Sequence, residues 1–224
     1  MKPALLMISG WAHPAETLRP LADAVAEFAA PRLIAAHEPR PKLKQPTVLL
    51  GWSLGGLHAL QSMLSAPEHC LGVVLISTTP RFCTAPDWPH GVAPNRVRAM
   101  KVGLRKKLEE VLHQFFADAA APATPNEVEE KIRAALAFGP DKLAAGLDEL
   151  LNTDVRSAVV NAAKPALVMH GCGDRIIPCA AGEWLATQFV FNRFVPLADA
   201  GHDLPRCAVS TVAEEIKLFV ETLA

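Results

Sequence analysis

Short apolar runs and helical stripes alternate along this chain, break off, and then resume. Residues 4–9 (ALLMIS) form an apolar run that stops at Gly10, the pattern of a strand covered on both faces, as in a parallel sheet. Residues 17–29 carry Leu18, Leu21, Ala22, Val25 and Phe28 at helical spacing, with Thr17 placed as an N-cap. Residues 32–36 predict a second strand. Residues 37–46 hold three prolines and four basic side chains and predict a surface loop. A third strand is expected at 47–50 (TVLL), a helix at 57–64 and a fourth strand at 72–77 (GVVLIS).

The alternation then stops. Residues 78–94 are rich in proline, and 95–160 read as mostly helix. One stripe there is Leu104, Leu108, Val111, Leu112 and Phe115. A second is Val128, Ile132, Ala135 and Leu136, and a third is Leu143, Leu147, Leu150 and Leu151. Strand 166–171 (ALVMHG), helix 179–189, strand 193–197 and helix 209–223 resume the alternation. Strands alternating with helices imply an α/β architecture with a mostly parallel sheet. The expected organisation is a core of residues 1–77 and 161–224 interrupted by a helical cap at 78–160.

Composition narrows the class. Half of the 224 residues are hydrophobic, which argues against disorder. A net charge of −1 provides no basic field for nucleic acid. The five cysteines show no paired spacing, so reduced thiols in a cytoplasmic protein are expected rather than a disulfide framework. Lys2 precedes an apolar run too short for a signal peptide, and no A-x-A site follows it. Nor does any stretch reach the roughly 18 apolar residues of a membrane span.

A serine hydroxyl becomes nucleophilic only when a base takes its proton and a third group orients that base. It also needs donors aimed at the developing oxyanion. Gly51-Trp52-Ser53-Leu54-Gly55 follows the strand TVLL at once and opens a helix. This is the G-x-S-x-G context of a nucleophilic serine on a sharp turn; the competing reading is an ordinary tight turn with a buried serine. Asp174 comes just after ALVMHG in Gly171-Cys172-Gly173-Asp174, at the strand edge where reactive groups gather in open α/β sheets; as G-x-G-D it also suits a simple turn. His202 follows the last strand in Ala200-Gly201-His202. Ser53 as nucleophile, Asp174 as acid and His202 as base then fall in the order Ser, Asp, His. Asp199 is held in reserve as acid. The oxyanion donors expected are the amides of Leu54 and of Trp11, in the loop after the first strand. The other histidines show no metal spacing and no phosphate-binding glycine loop is present, so neither metal nor cofactor is expected.

With Asp87-Trp88-Pro89, Gly146-Leu147-Asp148-Glu149-Leu150-Leu151, Thr153-Asp154-Val155-Arg156 and Gly173-Asp174-Arg175-Ile176-Ile177-Pro178 added to Leu50–Leu57 and Ala200–His202, the chain resembles the α/β-hydrolase family. More narrowly, it is similar to the pimeloyl-carrier-protein methyl ester esterases of biotin synthesis. The resemblance implies the α/β-hydrolase fold and carries the triad and oxyanion roles onto the residues named above. It implies that Trp52 walls the acyl pocket and that Phe115 lines it from the cap. It also implies an acyl carrier protein docked on Arg96, Arg98, Lys101, Arg105, Lys106 and Lys107, a run that otherwise reads as a solvated helix face.

Two departures stand out. Ser9-Gly10 replaces the usual His-Gly before the tryptophan. Only about forty residues separate Trp11 from Ser53, so a D-x-P-G-x-G-x-S loop and a helix are missing, which should open one flank of the site. The expected activity is hydrolysis of a methyl ester on a pimeloyl-carrier-protein thioester, by a monomer. A general short-acyl carboxylesterase or thioesterase, and a non-catalytic ligand-binding protein of the same fold, are the alternatives.

Overall fold

The computed structural model describes residues 2–125 and 127–223. Its strands are β1 (Ala4–Ile8), β2 (Ala30–Ile34), β3 (Thr47–Trp52), β4 (Cys70–Ile76), β5 (Ala166–Gly171) and β6 (Asn192–Leu197). They form one sheet in the order β2-β1-β3-β4-β5-β6, with every neighbouring pair parallel. Parallel neighbours need crossovers. Helix α1 (Arg19–Val25) joins β1 to β2, and α2 (Leu54–Ser65) joins β3 to β4. Between β4 and β5 stand α3 (Pro94–Lys106), α4 (Leu108–Ala120), α5 (Val128–Leu136), α6 (Gly139–Asn152) and α7 (Arg156–Val159). Helix α8 (Cys179–Thr187) precedes β6, and α9 (Leu204–Cys207) and α10 (Val209–Glu221) close the chain. None of the described helices is long and apolar enough to cross a membrane.

Two boundaries differ from expectation for physical reasons. The helix predicted at 17–29 is a 3-10 turn over Ala15–Leu18 followed by α1, and Thr17 caps nothing. Pro20 sits in the first turn of α1, where its missing N–H is one of the donors without a partner in the helix and its fixed φ suits a helix start. Strand β2 starts at Ala30 rather than Arg32, and so includes Pro31. Because β2 is an edge strand, the missing donor of Pro31 costs no ladder bond.

The sheet buries apolar side chains on both faces. Leu21 and Val25 of α1 with Val212, Ile216 and Phe219 of α10 cover one face, against Leu5, Val48, Leu50 and Trp52. Leu57 and Leu60 of α2 and Leu185 of α8 cover the other, where Leu49 and Val73 point. Leu104, Leu112, Phe116, Ile132, Leu143 and Leu147, from the helices between β4 and β5, join this second cluster.

An ion-paired clamp holds the two ends of that helical segment together. Asp154 accepts from Arg81 at 2.5 Å and from Arg156 at 2.8 Å. The Arg156 guanidinium also reaches Asp87 and stacks 5.3 Å from the Trp88 ring centre, while Trp88 Nε1 donates to the Arg81 carbonyl. Two motifs about seventy residues apart in sequence thus form one cluster.

The strand order reverses between β1 and β3. From β1 the chain moves out to β2, then jumps back over β1 to start the other half. Ligands in open α/β sheets bind beyond the carboxyl ends of strands at such a point. The ends of β1 and β3 carry the Ser9-Gly10-Trp11 loop and Ser53.

Candidate active site

Strand β3 runs into α2 with Ser53 alone between them, at φ 57° and ψ −121°. An L-residue in that region stores about 1–3 kcal/mol of strain and persists only when its surroundings hold it. Three bonds do so. Ser53 N–H donates to the Ile76 carbonyl at 2.9 Å, and the Ser53 carbonyl accepts from Thr78 Oγ1 at 2.7 Å and Gly56 N–H at 2.9 Å. A Cβ on Gly55 would collide with the Ile8 carbonyl, and one on Gly51 with the Gly55 carbonyl. The spacing G-x-S-x-G is therefore a requirement for close backbone approach.

Asp174 lies between β5 and α8, with its side chain fully buried. Its Oδ1 accepts the Ile176 and Ile177 amides at 2.7 and 2.9 Å, and Oδ2 lies 2.7 Å from His202 Nδ1. Burial alone would raise its carboxyl. The positive field of His202 and the hydrogen bonds from His170 and His202 outweigh burial and hold it well below the usual carboxylate range. Since Oδ2 accepts, Nδ1 of His202 carries the proton. Nε2 is left as the acceptor nitrogen, buried and without a hydrogen-bond partner among the described residues. Trp52 Nε1 donates to the His202 carbonyl at 2.9 Å, tying the histidine loop to the elbow. Asp199 is exposed. Asp203 turns to Lys131 and Arg206 instead, at 3.4 and 3.6 Å.

The loop after β1 is pinned on every side. Ser9 Oγ donates to the His13 carbonyl at 2.7 Å, Trp11 Nε1 to the Leu143 carbonyl at 2.8 Å, and Ala12 N–H to His37 Nε2 at 3.1 Å. Ala12 takes φ 60°. The Trp11 amide has no acceptor among the described residues. The Leu54 amide, first in α2, has none within its helix. A Cβ on Gly10 would sit 3.2 Å from that of Ser53, so this loop lies directly against the serine.

A cavity of about 550 Å³ opens beside Ser53. Phe115 and Trp11 line it, with Phe82, Val97, Met100 and Leu147 adding apolar wall. Trp52 does not line it, which corrects the expectation that it walls an acyl pocket. Strand alternation puts Trp52 on the same face as Val48 and Leu50, packed in the cluster beneath, with its ring 4.3 Å from that of His13. Of the six basic residues, Arg96 and Lys107 also line the cavity, and Arg98, Arg105 and Lys106 are exposed. Lys101 is half-buried and held by both oxygens of Asp148, at 2.6 and 2.5 Å.

Two histidines not singled out from the sequence belong to this site. His170 Nε2 lies 3.1 Å from Asp174 Oδ2 and 3.0 Å from the Ile177 carbonyl; both neighbours are acceptors, so Nε2 is protonated and the Asp174 carboxylate is held from a second side. His37 fills the shortened segment, residues 35–46, which contains no helix. Beside it a second cavity of about 370 Å³ reaches Leu54, His58 and Glu149.

Burial, with His58 and Lys142 nearby, lowers the His37 pKa from 6.5 to about 4. Burial likewise pushes His13 well down. Between about pH 6.5 and 4 the unfolded chain therefore takes up protons that the folded chain refuses, and stability falls as pH falls. Asp203, raised by burial, opposes this, so the test is a difference. The melting temperature of His37→Gln should fall less from pH 7 to pH 4.5 than that of the parent; equal slopes would refute the assignment.

Comparison with known proteins bears on the family and the fold. The family model described as the alpha/beta hydrolase family matches residues 8–215. A protein of Aromatoleum aromaticum named pimeloyl-[acyl-carrier protein] methyl ester esterase is 37% identical over 172 residues, covering 72% of this chain and 69% of that protein. One of the same name from Xanthomonas axonopodis pv. citri is 29% identical, covering 99% and 96%. Among solved structures, an esterase from Exiguobacterium antarcticum superposes with a TM-score of 0.86 at 17% identity, covering 98% of this chain and 92% of that one. A bromoperoxidase from Bacillus anthracis gives 0.87 at 17%, covering 99% and 92%; at that identity the likeness speaks for fold alone. With the family match running from the first strand into the last helix, this chain belongs to the alpha/beta hydrolase family.

Proposed function

We propose that the chain is a serine carboxylic ester hydrolase that removes the methyl ester from a pimeloyl chain carried on an acyl carrier protein. The observation that carries the reading is the 2.7 Å pairing of His202 Nδ1 with a fully buried Asp174 carboxylate, which leaves Nε2 to act as base. Ser53 attacks the ester carbonyl while His202 Nε2 takes its proton. The Leu54 and Trp11 amides receive the oxyanion. His202 then protonates the departing methanol and activates water to release the acid. The apolar wall of the cavity suits a methylene chain, and the relatives' names support the pimeloyl ester. Residues 78–160 serve as the cap. The reading includes action as a monomer in the cytoplasm, with no metal or cofactor taking part.

The test is cleavage of pimeloyl-carrier-protein methyl ester by the parent. It should be far faster than cleavage of simple methyl esters. Arg98→Glu with Arg105→Glu, both exposed and outside the cavity wall, should raise KM for the carrier-bound ester and leave small activated esters unchanged. Cleavage of small esters alone, indifferent to carrier and to these charges, would replace this reading with a general carboxylesterase.

His37 adds a second check. Its Nε2 accepts from the amide next to Trp11, so it holds the oxyanion loop in place of the missing segment. Losing an oxyanion donor outright costs about 10²–10³ in kcat. His37→Leu, which loses only the support, should cost less, roughly ten- to a hundred-fold, with KM little changed. His37→Gln, which keeps an acceptor, should recover most of it. Equal kcat in parent and His37→Leu would remove His37 from the site.

A further inference from the structure

The loop that carries Asp174 is bracketed by two thiols. Cys172 opens the turn after β5 and Cys179 begins α8, and their sulfurs lie 3.7 Å apart. Cys172 is exposed and Cys179 half-buried, whereas Cys70 and Cys83 are buried. The pair stands seven positions apart in sequence, so no short motif announces it. A strand end and a helix start bring the two together.

We propose that Cys172 and Cys179 are a redox-responsive dithiol, closed to a disulfide by peroxide, and that closure slows the hydrolase. The thiolate of exposed Cys172 attacks the peroxide O–O bond, forming a sulfenic acid and releasing water once the leaving oxygen is protonated. Cys179 sulfur then attacks the Cys172 sulfur. The S–S bond forms, the S–O bond breaks, and the departing hydroxide takes the Cys179 proton as a second water. Two thiols lose two electrons, and hydrogen peroxide takes them up. Burial, reinforced by the Cys172 neighbour, pushes the Cys179 thiol up to about 12, which suits the resolving partner rather than the one that first meets the oxidant. A thiol reductant reverses the bond by exchange. Within a reducing compartment a bond of this kind is transient and serves sensing.

Closure must act on the acid. A disulfide brings its sulfurs to about 2 Å, and whatever part of the approach from 3.7 Å side-chain rotation does not supply draws the ends of the loop together. Cys172 N–H is bonded to the Leu197 carbonyl and Gly173 N–H to the Ala200 carbonyl, both at 2.9 Å, which anchors the first end. Displacement therefore falls on the stretch that contains Ile176 and Ile177, whose amides hold Asp174 Oδ1. A shift of about 1 Å at a positioning group can cost up to a hundred-fold in rate. This consequence for rate rests on the proposed role of Asp174; formation of the bond does not.

The experiment uses the full chain, reduced and then exposed to equimolar hydrogen peroxide. Two of the five thiols should disappear, and non-reducing peptide mapping should join Cys172 to Cys179. The kcat on a small activated ester should fall roughly ten-fold or more and return with dithiothreitol. Cys172→Ser and Cys179→Ser, each tested alone, should keep full rate through the same treatment. Oxidation that leaves both thiols unlinked, or a cross-link that leaves kcat unchanged, overturns the proposal. Mapping needs no turnover, so an inactive protein that still forms the cross-link refutes the esterase reading and leaves the dithiol standing.

Discussion

Replacing Ser53 with alanine is expected to lower kcat by about a million-fold, leaving the slow background that oxyanion donors and binding alone sustain. Alanine keeps the Cβ, so the backbone at φ 57° is no more strained than before. The three bonds that hold Ser53 use its backbone N–H and carbonyl and survive the change. Melting temperature and cavity binding should therefore stay at parent values while turnover vanishes. That split separates loss of a nucleophile from loss of a fold. A fluorophosphonate should label the parent on Ser53 and leave the variant untouched. Full activity in Ser53→Ala would end the serine-hydrolase reading, and a parent inert to the probe would favour a ligand-binding protein of the same fold.

The second large effect belongs to Asp174. Its Oδ1 accepts two amides, and its Oδ2 faces two imidazole nitrogens. Asparagine can keep the two amides on its oxygen only by turning its NH₂ toward His202 and His170. Against His202 the NH₂ favours the tautomer with Nδ1 bare and Nε2 protonated, which cannot take the serine proton. A loss of about 10⁴ in kcat follows. Against His170 the NH₂ meets a second donor, so a stability loss of about 1–3 kcal/mol is expected as well. The native carboxylate, depressed below its usual range, contributes stability above about pH 3.9 and loses it only as pH falls through its own lower value. It therefore stays ionised across neutral and mildly acid pH. An Asp174→Asn enzyme within ten-fold of the parent, with Asp199→Asn damaged instead, would show the acid to be Asp199.

The sequence made some of this legible and hid the rest for identifiable reasons. The elbow could be read because its glycines answer to backbone crowding, a local demand that leaves a local signature. Asp174 and His202 each follow a strand in the sequence, and the structure brings their side chains to 2.7 Å of one another. The resemblance places Trp52 in the pocket wall, whereas Val48, Leu50 and Trp52 share the period of a strand and hence one face, the one packed beneath. His37 and His170 were out of reach of pattern. His37 meets the amide of Ala12 across 25 residues of chain, from a segment that reads as a polar loop. His170 sits inside a buried apolar run, where its ring looks like filler until the acid beside it is placed. The helical segment was visible as a block through its stripes, but Asp87, Trp88, Asp154 and Arg156 gave no hint that they meet.

That meeting has a consequence for how such a molecule can change over generations. Arg81, Asp87, Trp88, Asp154 and Arg156 knot together the place where the chain departs from the sheet and the place where it returns. The stretch between can be lengthened, trimmed or exchanged for a graft from a cousin while β4 and β5 keep their ends at one fixed seam. Appetite for new substrates can be acquired there without any edit to the strands that hold the reactive groups.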